Sequence, residues 1–159
     1  MDKEEVLKKI SEIFPKADIV DLSYYGDGDS FEEFSELCTR CKLDEPIKHE
    51  GTKWNPEGWI QEYEEVHLNN HNDYEEIERF LKLKVSAENT VENYIWEIFE
   101  KANNSPDFNN AGSYGIISFD IKNNIVELSN TYKDYHYDDD GNIDWDQDDV
   151  ENECETEKF

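Results

Sequence analysis

Residues 31–43 read FEEFSELCTRCKL, and the period assigned to this stretch decides how much of the chain is sheet. Phe31, Phe34, Leu37 and Cys38 fall three and four apart, which suits one face of a helix. The alternative is an irregular excursion in which the interleaved acids face solvent. Neither reading counts the stretch as a strand, so the sheet expected from the remaining sequence is small.

On the N-terminal side, residues 2–14 carry Val6, Ile10, Ile13 and Phe14 on one face, and Pro15 stops the helix they predict. Residues 17–25 alternate and predict a strand that runs into SYYGDGDS at 23–30. On the C-terminal side, Pro46, Gly51, Pro56 and Gly58 mark a loop over 45–58, with Trp54 and Trp59 expected to pin it to the body. Helices are expected over 59–68 and 73–83, with Asn72 and Glu75 at capping-box spacing before the second. Val91, Tyr94, Ile95, Ile98 and Phe99 form a stripe that predicts a helix over 87–102, with Ser86 as its cap. Residues 114–121 and 125–132 then alternate around Lys122-Asn123-Asn124, a turn suited to a hairpin.

The expected fold is therefore α+β. A small antiparallel sheet, made of strand 17–25 and hairpin 114–132, packs against helices at 2–14, 59–68, 73–83 and 87–102. Residues 1–147 form a single domain, and 148–159 are expected to be an acidic disordered tail.

Charge narrows the function further. The 159 residues carry 41 acidic and 15 basic side chains, a formal net charge of −26. Such a chain repels nucleic acid and anionic membrane surfaces and favours a basic protein or cations. Aromatics make up 13% of the residues and recur within the periodic segments, which argues for a folded body. No apolar run approaches the roughly 18 residues that span a bilayer. The opening MDKEEVLKKI lacks the pattern of a signal peptide, so a cytoplasmic location is expected.

Several constellations invite chemistry. Cys38 and Cys41 have CxxC spacing with His49 nearby, but no second pair completes a four-ligand zinc site. Reduced, partly buried thiols are expected there. Asp27 and Asp29 lie on a glycine turn, where they bind a cation or simply satisfy backbone amides. Asp138, Asp140 and Asn142 surround Gly141 as in an EF-hand loop. That alignment puts His136 first and Gln147 twelfth, leaving only a weak cation candidate. His67 and His71 are four apart, across the polar Asn69-Asn70 break, and are expected to be solvent-exposed. No motif assembles a nucleophile, base and orienter, so no catalytic residue and no cofactor are expected.

Two segments, DLSYYGDGDS at 21–30 and YGIISFD at 114–120, resemble an uncharacterised family of small acidic proteins borne by phages and plasmids. The matching positions are Gly26, Gly28, Asp29 and Ser30, then Tyr114, Gly115, Ser118, Phe119 and Asp120. The similarity covers the first strand and the C-terminal third. It departs from the family pattern at Phe31, where glycine is usual. The family is one of unknown function, so the resemblance implies a mobile-element setting and an α+β fold rather than a reaction.

The function expected is that of an acidic protein-binding protein. It would be an inhibitor or DNA mimic of a phage or mobile element that occupies the basic nucleic-acid-binding surface of a host defence or DNA-handling protein. Contacts are expected from Tyr24, Tyr25, Asp27 and Asp29 at the glycine turn, and from Asp138, Asp139, Asp140, Asp144 and Trp145 in the acidic tract. The alternatives are an acidic immunity or accessory protein for one cognate partner, and a small metal-dependent enzyme using Asp27 and Asp29.

Overall fold

The computed structural model describes residues 1–27, 30–69, 74–104, 106, 112–147 and 150–159. Residues 31–43 prove to be neither helix nor irregular excursion. They belong to a 20-residue strand, β2 (Ser30–His49), paired antiparallel with β1 (Ile19–Asp27) on one side and β3 (Trp59–His67) on the other. β4 (Ser113–Asp120) lies on the far side of β1 and forms a hairpin with β5 (Ile125–Asp134), where Asn124 takes the positive φ (55°) of the turn. The short strands β6 (Val150–Glu151) and β7 (Glu155–Lys158) share the outer edge of β5. The strand order is β3-β2-β1-β4-β5-β6, with β7 beside β6 on β5, and every pairing is antiparallel.

This overturns the expectation of a small sheet packed against several helices: among the described residues the strands hold 62 and the helices 29. The expected helix at 59–68 is β3. Its Glu and Gln residues favour helix locally, but pairing with β2 over eight register positions outweighs that weak preference. The expected tail at 148–159 supplies β6 and β7. Its end is anchored: the Phe159 amide donates to the Val126 carbonyl (2.8 Å), and Glu157 accepts from the amides of Asn103 and Asn104 (2.8 and 2.9 Å).

Among the described residues three helices complete the fold: α1 (Lys3–Ile13), α2 (Glu75–Leu81) and α3 (Val91–Lys101). Asp2 caps α1. The cap of α3 is Thr90 rather than Ser86. Thr90 and Asn93 form a reciprocal capping box that starts the helix at Val91. The proposed cap of α2, Asn72, lies outside the described residues.

All three helices bury their apolar stripes against one face of the sheet. Val6, Ile10, Ile95 and Ile98 meet Val20, Leu22, Leu37, Ile117, Phe119, Val126 and Leu128 in a single cluster. Aromatic rings knit the layers together. Phe80 meets Phe119 edge-on at 5.8 Å, and Tyr24 meets Phe99 at 5.2 Å.

Gly115 lies opposite Tyr24 in the β1–β4 register. A Cβ there would sit 2.5 Å from the Tyr24 hydroxyl and 2.1 Å from the Ser129 carbonyl oxygen. The glycine thus makes room for the tyrosine to cross β4 and donate to Asn130 Oδ1 on β5 (2.6 Å).

Candidate functional site

Because side chains alternate across a strand, the residues between the core positions form a second face that the helices do not cover. The register aligns Arg40, Ile19 and Asp120 in one row; Cys38, Asp21 and Ser118 in the next; and Glu36, Ser23 and Ile116 in a third. At its centre the Asp21 carboxylate accepts from Arg40 Nε and a terminal guanidinium nitrogen (2.7 and 3.2 Å) and from Ser118 Oγ (2.6 Å). Burial opposes charge on Arg40, but the Asp21 hydrogen bond and charge outweigh it, so the pKa rises. The guanidinium also lies 5.5 Å from the centre of the Tyr63 ring on β3.

Toward the other end of β1 the open face becomes apolar. Tyr25, Tyr114 and Ile116 are each partly exposed and, with Ser129, Thr131 and Cys154, line a cleft of about 370 Å³. Lys133 lies over the Tyr114 ring, whose hydroxyl donates to Glu151 (3.2 Å).

The third feature follows from the length of β2. β1 has paired out at Ile19↔Arg40, yet β2 continues to His49 with β3 alone beside it. Residues 43–46 bulge between Lys42↔Tyr63 and Ile47↔Gln61, so the hairpin projects as a two-stranded arm. Ile47, Trp59 and Ile60 are exposed on it, and Trp54 at its tip is 90% exposed. The expectation that Trp54 and Trp59 pin this loop to the body therefore fails: Trp59 stacks on His49 within the arm (4.2 Å). Asp44, Glu45, Glu50, Glu57, Glu62 and Glu64 are all exposed along it.

The residues expected to meet a partner differ in exposure. Tyr24 is a core residue, 2% exposed, and burial raises the pKa of its phenol. Its neighbour Tyr25 lies on the open face, as strand alternation requires. Asp27 ends β1, paired with Ser30, and Asp29 lies outside the described residues.

Asp138, Asp139 and Asp140 are exposed, and Asp144 is half-buried. Asp138 Oδ1 accepts from the amides of Asp140 and Asn142 (3.0 Å each), while Gly141 turns the chain with φ +82°. That oxygen stabilises a turn. Trp145 is 75% exposed and touches Tyr135 edge-on (5.4 Å).

Sequence reasoning missed the cross-strand groups Asp21–Arg40–Ser118 and Glu36–Cys38–His67. In the latter, Cys38 Sγ lies 3.8 Å from His67 Nδ1, and a Glu36 carboxylate oxygen contacts the same nitrogen. The alternation Glu36-x-Cys38-x-Arg40 carried the signal, but a helical period placed Cys38 beside Leu37. On the strand, Cys38 and Cys41 are three apart and therefore face opposite sides of the sheet, so the CxxC spacing joins no pair. His71 lies outside the described residues.

Comparison with known proteins returns no matching family model, no matching curated protein and no matching solved structure. Among the described residues, no helix is long and apolar enough to cross a membrane.

Proposed function

We propose that this chain is an acidic binding protein whose counterpart is a basic protein surface of the kind that holds nucleic acid. The phage or mobile-element setting implied by the resemblance is part of the same proposal. The supporting observation is the projecting β2–β3 arm, where exposed aromatic and aliphatic side chains stand among exposed carboxylates. With 41 acids to 15 bases, ion pairing within the chain cannot cancel the surplus. Exposed indole rings bury area at low entropic cost, and surrounding acids steer a cationic partner into place. An immunity or accessory protein acting on one basic partner would use the same surface.

The test compares capture from a host lysate by the wild type with capture by a Glu57→Gln/Glu62→Gln/Glu64→Gln variant, eluted in rising salt. The expected result is a basic, nucleic-acid-binding protein that the wild type retains and the variant loses, released steeply with ionic strength. Equal retention by the neutralised variant, or recovery of acidic and neutral proteins only, would overturn the proposal.

A further inference from the structure

The group formed by Glu36, Cys38 and His67 is independent of the arm and of the charge-based reading above. Cys38 and His67 are direct partners in the β2–β3 register, and Glu36 stands two residues along β2 on the same face. One ligand atom from each lies within 4.8 Å of the other two. The backbone between Glu36 and Cys38 is clamped to the chain just beyond His67. Asn69 Oδ1 accepts from the Leu37 amide (2.8 Å), Asn69 Nδ2 donates to the Ser35 carbonyl (3.1 Å), and the Leu68 amide donates to the Leu37 carbonyl (2.9 Å). Three donors of different chemistry are thus held at a fixed register.

Two chemistries use cysteine, histidine and glutamate together. In a nucleophilic triad the imidazole addresses the thiol with one nitrogen and its orienting carboxylate with the other. Here the sulfur and the carboxylate both face Nδ1, so the carboxylate cannot orient the ring toward the thiol.

A metal ion instead requires donors gathered around it: the sulfur–nitrogen spacing suits one, and the Glu36 oxygen has to withdraw from its direct contact with Nδ1 to admit it. Zinc bonds of ordinary length at a tetrahedral angle place sulfur and nitrogen about 3.6 Å apart. The observed separation of 3.8 Å is close to that. Thiolate, imidazole and carboxylate together form a borderline-soft set suited to Zn²⁺. His67 is exposed, which leaves the outward side open to a water or a ligand.

We infer that Glu36 Oε1, Cys38 Sγ and His67 Nδ1 form a three-ligand Zn²⁺ site with an open fourth position on the solvent-facing side of the sheet. Binding replaces the Cys38 thiol proton with the metal and releases that proton to solvent, so affinity rises with pH.

Titration of the metal-free full chain with Co²⁺ and then Zn²⁺ tests this. One equivalent of Co²⁺ is expected to give a sulfur-to-cobalt charge-transfer band, which Zn²⁺ abolishes by displacement. A Cys41→Ser/Cys154→Ser variant should keep the band, Cys38→Ser should lose it, and His67→Ala should bind at least about tenfold more weakly. Circular dichroism of each variant without metal confirms that the comparison is between folded chains; His67→Ala, altering an exposed side chain, provides the check if Cys38→Ser unfolds. No band at one equivalent, a band that survives Cys38→Ser, a band lost with Cys41 and Cys154, or unchanged affinity in His67→Ala would each overturn the inference.

Discussion

The two faces of this sheet are built from the same strands and differ in almost every other respect. On the helix-covered face, β1 contributes Val20, Leu22 and Tyr24, all 2% exposed or less. On the other face Asp21 forms a salt bridge with Arg40, while Ser23 and Tyr25 line the apolar cleft. The period of two thus separates what holds the protein together from what it presents to a partner. That separation predicts different costs for substitutions one residue apart.

The largest effect belongs to the covered face. Phe119 is fully buried and meets Phe80 edge-on, so Phe119→Ala should cost about 3–5 kcal/mol, read from chemical denaturation. A loss below about 1 kcal/mol would mean that the helices do not seal this face. The Tyr24→Phe variant comes next. It removes the donor to Asn130 Oδ1 while Asn130 stays fully buried, at a cost of about 1–3 kcal/mol. An unchanged midpoint would show that the Asn130 oxygen finds another donor.

The two faces were unequally legible in the sequence. The stripes of α1 and α3 and the alternation of β4 and β5 are strong local patterns, and each element formed where its pattern lay. β2 and β3 failed for one shared reason. Their acids and glutamine carry helix preference, and their strand state is stabilised by partners distant in the chain, such as Arg40 with Glu65 and with Ile19. Once β2 was missed, neither the Glu36–Cys38–His67 group nor the arm could be seen, since both exist only as cross-strand neighbours. Tyr24 was misplaced for a smaller reason: adjacent tyrosines on a strand face opposite ways, and only one of them can be at the surface.

A pH measurement sharpens the comparison where the open face is least open. Cys38 is buried there, and its thiol titrates at about 11 in the fold against an ordinary 9.0. In metal-free protein the unfolded chain loses this proton first as pH rises. The associated stability is therefore fully present below about pH 9 and declines as pH rises through about 11. Denaturation midpoints measured from pH 8 to 11 should fall less steeply in Cys38→Ser than in wild type. Parallel curves would mean that the thiol is as well solvated as in the unfolded chain.

The smallest effect is expected at Ile116, whose side chain lies on the open face beside the buried Ile117 and is 42% exposed. Ile116→Thr keeps the branched β-carbon that suits a strand and removes apolar surface that no helix covers, so stability should change by about 0.5 kcal/mol or less. The matching change at Ile117, which has no exposure, places a hydroxyl in the core and should cost several times more. Equal costs at the two positions would mean that something covers the second face in solution. The cleft between Tyr25 and Tyr114 would then be an occupied interface.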